Sequence, residues 1–551
     1  MTEHGLTLVS QILACDTCRP SGARRSSRLF VRAFAPANVD GLVSMTRSTA
    51  PDEESAPASS SLHQELQRAW RTSLQLGFSL VCTWTVALLV RFAVPRHLGP
   101  LGFGDLSLAE TFTAGFFVFA SLGIDTYTMR EVVSRPSHVS EYFAGVQLFR
   151  LLLSAVAMLL LLAVLVARDK PEPLIEAAEL WSATYALMAL NGSLSTLLQG
   201  TGKTERLAVA NVIAKLAWGL GLVVCLEYAD SDWLWMYVLP ALLSEAFRTA
   251  LIYPAAKRAV DLRWRVNVAA TKAVLRSSLP YYLGAVAIAL GGPLNFFALE
   301  LIKTDDRELG WYGATLSLAA LAMIFCPLLE WVLLPTLARA RTRSPERVDT
   351  ILAYALEALL LGSIPLALIG ALGANVLVPL TLGPAYEQST AAFGVLAVMC
   401  VFTYAAMILA NGLIARGQAW SLTSLSLVNV LAAPVLSCAL VPAMRGWLGL
   451  GGEAAGAAVA MTVSEVMVVT LALLRLGRGI LTPRLLRATA KCLTACAIVI
   501  IIDRRLTALS ELRLVIDLAC YIVIVVLLRA VSLRELRELV RSARATRGEP
   551  A

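Results

Sequence analysis

The chain is 551 residues long, 57% hydrophobic and only 16% charged, with a formal net charge of +8. Soluble domains carry about 25% charged residues, and disordered chains are poor in apolar ones, so neither class describes it. Its apolar residues gather in runs of about 20, the length that crosses a bilayer as a helix. The sequence therefore reads as an all-α, multi-pass membrane protein.

Residues 1–61 are polar, with Pro, Ser and Arg clusters and the acidic stretch Pro51-Asp52-Glu53-Glu54-Ser55. They are expected to form a disordered cytoplasmic tail. The succession of basic region, apolar core and small-residue cleavage site that marks a signal peptide is missing. Met45 is an alternative start, because nothing before it is periodic. Cys15 and Cys18 form a lone pair with no second pair to complete a zinc site, so no metal and no other cofactor is expected. Residues 62–71 pattern as an amphipathic interfacial helix, with Leu62, Leu66, Ala69 and Trp70 opposite Gln64, Glu65, Gln67 and Arg68.

Fourteen spans follow. Six lie at 72–94, 106–124, 143–167, 177–199, 206–226 and 234–253. After a basic cytoplasmic linker, 254–278, six more lie at 279–302, 311–336, 352–373, 391–415, 420–442 and 451–475. A final pair is at 488–502 and 514–531. The expected organisation is an interfacial helix with a first six-helix lobe (62–253), the linker, a second six-helix lobe (279–475), an additional helix pair (476–531) and a basic cytoplasmic tail (532–551). Placing the N-terminus inside puts 34 of the 47 Lys and Arg on the cytoplasmic side and nine in the external loops. Basic residues collect in cytoplasmic loops, so both termini are expected in the cytoplasm and the net charge calls for no nucleic-acid partner.

The two lobes share a motif. Leu98-Gly99-Pro100-Leu101-Gly102-Phe103-Gly104 is followed by Leu106-Ser107-Leu108-Ala109. Leu309-Gly310-Trp311-Tyr312-Gly313 is followed by Leu316-Ser317-Leu318-Ala319. The offset at Gly104 and Gly313 is 209 residues, close to the 207 between span starts 72 and 279. Six spans is an even number, so the halves are parallel repeats. Repeats of this kind build a central cavity between lobes in many transporters.

With these motifs on view, the chain resembles the multidrug/oligosaccharidyl-lipid/polysaccharide (MOP) superfamily, and within it the polysaccharide-biosynthesis, O-antigen-type flippases. The resemblance rests on Arg96-His97-Leu98 running to Gly104, on Leu122-Gly123-Ile124-Asp125 with Met129-Arg130-Glu131, on Leu198 to Gly202 before Asn211, and on Gly449 to Gly456 before Ser464-Glu465. It covers about 72–531. It implies a fourteen-helix fold in an inner (cytoplasmic) membrane. It also implies transport of a polyprenyl-pyrophosphate-linked oligosaccharide to the outer leaflet, alongside membrane lipids and polymerase or other assembly proteins. Flippases of the lipid II kind also carry a basic residue in the first helix of the second lobe. Here that span has only Asn295 and Glu300, a departure from the pattern.

A charge at a span centre costs about 2.5–3.5 kcal/mol, so buried ions point to function. Arg91, Arg150, Lys215 and Arg248 are the basic residues singled out inside spans, those at the cytoplasmic span edges being counted with the loops. They are the candidates to hold a pyrophosphate, Arg as a planar fork and Lys as a point charge. Arg91 and Arg150 lie near span ends, where snorkelling is the plain alternative. Lys215 lies midway along its span. Arg248 follows Glu245 by three residues, and the two can pair on one helix face. Glu330 and Glu465 are the ion-coupling candidates, while Glu110, Glu357 and Asp517 read as interfacial. Gly200-Thr201-Gly202-Lys203-Thr204 lacks the first glycine of a phosphate-binding loop. Neither HExxH nor GxSxG occurs, and no external loop exceeds about 20 residues, so no enzyme is expected. The alternatives to a flippase are a multidrug or cation antiporter of the same superfamily, or a membrane glycosyltransferase or ligase.

Overall fold

A computed structural model describes residues 58–120, 124–125, 128, 132, 136–230, 233–302, 304–325, 333, 337, 341, 345–506 and 511–528. Among these residues there is no strand. The helices are α1 (Ala58–Phe117), α2 (Pro136–Ala167), α3 (Glu172–Gly200), α4 (Thr204–Tyr228), α5 (Leu234–Val260), α6 (Val268–Ala289), α7 (Gly291–Leu301) and α8 (Asp306–Ala319). They continue as α9 (Pro345–Leu372), α10 (Ala374–Leu382), α11 (Thr390–Ala415), α12 (Ala419–Leu448), α13 (Gly452–Leu476), α14 (Pro483–Asp503) and α15 (Leu512–Leu527).

Seven segments among the described residues are long and apolar enough to cross a membrane: His138–Ala167, Thr204–Tyr228, Arg347–Leu372, Pro384–Ala415, Trp420–Leu448, Gly452–Leu476 and Pro483–Asp503. In five of them only 28% of the apolar window is buried inside the protein, so most of each apolar surface faces outward. Leu159, Leu220, Val435 and Leu474 are among the exposed large side chains. Water would make such a belt costly, whereas lipid tails solvate it. The segment containing α11 is 56% buried and forms the interior of the second half.

Several boundaries differ from the pattern-based ones. The interfacial helix at 62–71 is continuous with the first span, and both lie in α1. That helix breaks at Gly99, where φ is +67° and ψ is 178°, a conformation that favours glycine. The basic stretch 254–278 is mostly helical. Lys257 and Arg258 occupy the last turn of α5, where cations complement the helix dipole. Asn267 caps α6 by accepting from Ala270 N at 3.1 Å. The span at 279–302 is broken in two around Leu290, while α9 and α12 run through Pro365 and Pro434.

Within the first half, α3 packs on α5, α4 on α5, and α1 on α3 and α4. Within the second, α12 packs on α13, α11 on α13, α9 on α11, and α7 on α12. The C-terminal pair docks on α9: Ile364, Ala367 and Leu368 share one buried cluster with Cys492, Ala495, Val499, Tyr521 and Val525.

The halves meet at the repeated motif. The second arm of α1 lies against α7 and α8. Phe112 stacks on Phe297 with centroids 4.1 Å apart. A Cβ added to Gly310 would collide with the Pro100 carbonyl, and one added to Gly104 would collide with the Asp306 carbonyl. The largest buried cluster draws on both halves, joining Val94, Leu108 and Leu174 to Phe296, Tyr312 and Leu396. At the opposite end the clusters separate. One holds first-half residues such as Phe143, Leu198 and Ile252, with Val274 of α6. The other holds second-half residues such as Leu352, Leu409 and Leu476.

Candidate functional site

The first lobe contains a buried polar core between α2, α3, α5 and Asp125. Arg150, 2% exposed, donates from one guanidinium nitrogen to Asp125 Oδ1 at 3.1 Å, Ala189 O at 3.1 Å and Ser193 Oγ at 2.5 Å. Ser193 in turn donates to Asp125 Oδ1 at 2.8 Å. Along the same helices, Arg248 pairs with Glu245 Oε2 at 3.5 Å and reaches Ser195 Oγ at 3.3 Å. Asn191 Nδ2 donates to Glu245 Oε2 at 2.7 Å, and Thr249 donates to Asn191 Oδ1 at 2.8 Å. Two guanidinium groups are thus matched by two carboxylates. Low polarity strengthens such pairs, and loss of one partner leaves the other unsatisfied.

The sequence singles out both arginines but not the residues that hold them. Asp125 stands out there only as part of a motif, and Asn191 and Ser193 not at all. The signal is weak because the partners of Arg150 come from other segments, 25 and 43 residues away.

Lys215 is half-buried on α4, its ammonium 3.6 Å from the centroid of the Trp218 ring. Arg91 lies in the first arm of α1, and its side chain falls outside the described residues, as does Glu330. Of the six residues singled out from the sequence, Arg150 and Arg248 therefore share one polar core. Lys215 lies on a different helix from those that build it, and Glu465 lies in the other lobe.

The second lobe has two smaller polar nodes. Asn295 donates to Tyr312 Oη at 2.9 Å and accepts from Ser437 Oγ at 2.7 Å. Glu465 accepts from Asn429 Nδ2 at 3.2 Å, and Ser464 donates to Asn429 Oδ1 at 2.5 Å. Ser464-Glu465 repeats Ser244-Glu245 of the first lobe, each pair on the last helix of its half. Position 468, equivalent to Arg248, is Val, so Glu465 has no guanidinium one turn later.

At the junction of the halves, an open cleft of about 400 Å³ is lined by Arg168, Asp169, Lys170, Glu300, Thr304 and Asp306. Lys170 of the first half reaches Glu300 at 2.9 Å and Asp306 at 3.9 Å in the second. Asp105, one residue ahead of the second span, is pushed up to about 6 by burial and by Asp306, against the pull of Lys170. Nearby, Glu308 accepts from Gly451 N at 2.6 Å and Ala454 N at 2.9 Å. It thereby caps α13, and burial raises its pKa despite those two bonds.

Residues 70–341 match the family model described as polysaccharide biosynthesis protein. The fold is similar to that of the lipid II flippase MurJ in an inward closed conformation. That match has a TM-score of 0.63 at 13% identity and covers 84% of this chain and 99% of the other. It is also similar to an inward-facing multidrug resistance MATE family transporter of the MOP superfamily. There the TM-score is 0.58 at 17% identity, covering 73% of this chain and 96% of the other. The chain thus matches that family model over just under half its length and shares the fold of these transporters. No curated protein sequence matches it significantly. On such a fold, buried charges on facing helices are costly and mark the polar cores as functional candidates.

Proposed function

We propose that the chain is a flippase, moving a polyprenyl-pyrophosphate-linked oligosaccharide across the cytoplasmic membrane for cell-surface polysaccharide synthesis. The observation that carries this reading is the match of residues 70–341 to the polysaccharide biosynthesis family, on a fold similar to that of a lipid II flippase. Lobes that are sealed at the Gly104 end and have separate cores at the other support alternating access. The sugar and pyrophosphate enter between the lobes while the polyprenyl tail stays in lipid. The termini are cytoplasmic, and the Gly104 end faces outward.

In this reading Arg91, Arg150, Lys215 and Arg248 are the substrate-binding cations. Arg150 and Arg248 already hold Asp125 and Glu245, so a pyrophosphate engages them only by exchanging partners with a carboxylate. Lys215, cushioned on Trp218 and placed midway along α4, offers the point charge. Glu330 and Glu465 are the ion-coupling residues. Polymerase or other assembly proteins take up the product on the far side.

The test is a strain lacking the gene. Its polyprenyl-linked sugars are extracted, and an impermeant probe of the outer face reports which leaflet holds them. Accumulation of a finished oligosaccharide lipid on the inner face is expected. An unchanged lipid pool with altered drug sensitivity would overturn the flippase reading in favour of the antiporter.

A further inference from the structure

The sequence pattern makes Asp517 an interfacial residue, yet it is fully buried, at 0% exposure. Among the described residues no N–H or O–H donates to either of its carboxyl oxygens. Arg513, one turn earlier on α15, links it to the carboxyl of Asp503. Asp503 is itself 8% exposed and ends α14. A carboxylate there meets the negative end of the helix dipole.

One cation serves the pair. Arg513, 7% exposed, has Nε 3.7 Å from Asp503 Oδ1. One of its two outer nitrogens, Nη2, is committed elsewhere, donating to Leu372 O at 3.1 Å and Asn375 Oδ1 at 2.7 Å. These two bonds tie α15 to the α9–α10 junction. Two ionised carboxylates and one guanidinium would leave one unit of negative charge buried, at a cost of several kcal/mol. Two carboxyls can also hydrogen-bond to each other only if one of them carries a proton.

We infer that Asp503 and Asp517 bind one proton between them, so that an acid O–H···carboxylate bond closes α14 onto α15 and leaves the cluster with Arg513 electrically neutral. The site lies in the C-terminal helix pair, outside the polar cores of both lobes, and needs no substrate. The same logic keeps paired carboxyls in other proteins from both ionising.

Infrared spectra of the purified full-length protein at neutral pH test this. The wild-type minus Asp517→Asn difference should contain a protonated-carboxyl C=O band that shifts to lower frequency in deuterated buffer. The amide introduced by Asp517→Asn can donate to an ionised Asp503, so the variant loses the band while keeping the fold. Should that variant fail to fold, Asp503→Asn serves the same comparison. A difference spectrum without the band would overturn the inference. So would a melting temperature raised by sodium but not potassium, and lost in Asp517→Asn, since a metal cation would then occupy the place of the proton.

Discussion

Gly104 of the first half and Gly310 of the second approach so closely that neither has room for a side chain. A Cβ on Gly104 would lie 3.1 Å from the Gly310 nitrogen, besides its collision with the Asp306 carbonyl. Both belong to the motif that the halves share, so the repeat serves as its own contact surface. Backbone against backbone is the tightest approach two helices can make, and a side chain there acts as a wedge. Gly310→Leu should part the lobes at this end, at a cost of about 1–3 kcal/mol to the sealed state. Spin labels placed on exposed Leu101 and Arg307 should report a longer distance, and an unchanged distance would contradict the role given to this contact.

The seal should also respond to pH through Asp105. Its pKa is raised to about 6 in the packed junction from an ordinary 3.8. The neutral acid is therefore favoured when the lobes are in contact. Lowering the pH through 6 should strengthen the contact, with the gain complete below the ordinary value. Raising it should ionise Asp105 beside Asp306 and Glu300 and weaken the contact. The same spin-label pair should shorten as pH falls in the wild type, and Asp105→Asn should hold the short distance at neutral pH.

Removing one partner of a buried ion pair costs about 3–5 kcal/mol, because the other charge is stranded. Arg150→Ala should therefore destabilise the protein by leaving Asp125 and Ser193 without their cation. Thermal unfolding in detergent should show a marked drop in Tm. Arg150→Met combined with Asp125→Asn should recover much of it, because both charges leave together. If the single and double variants melt alike, the pair is not what holds this core.

Lys215 makes the opposite prediction. Its ammonium rests on Trp218 of the same helix, a contact worth about 0.5–1 kcal/mol at an exposed site. Lys215→Ala should abolish transport without loss of protein level. Normal delivery of the oligosaccharide lipid to the outer leaflet by this variant would remove Lys215 from the substrate path.

Pattern reading goes furthest where the physics is local. Apolar runs of about 20 residues identify the chain as a membrane protein, and the repeated Leu-Gly motif identifies its two halves, because both are properties of neighbouring residues. Boundaries are less legible. The interfacial and first helices merge because no breaker separates them, and a basic stretch stays helical because Lys and Arg are good helix formers. What Arg150, Arg248 and Asp517 do is decided only by tertiary structure. Asp125 and Ser193 reach Arg150 from other segments. Glu245, although local to Arg248, is oriented by Asn191 of another helix. Asp517 is buried because α14 and α15 close over it. An ion's partner and exposure depend on which helices pack around it, and that information is spread across the whole chain.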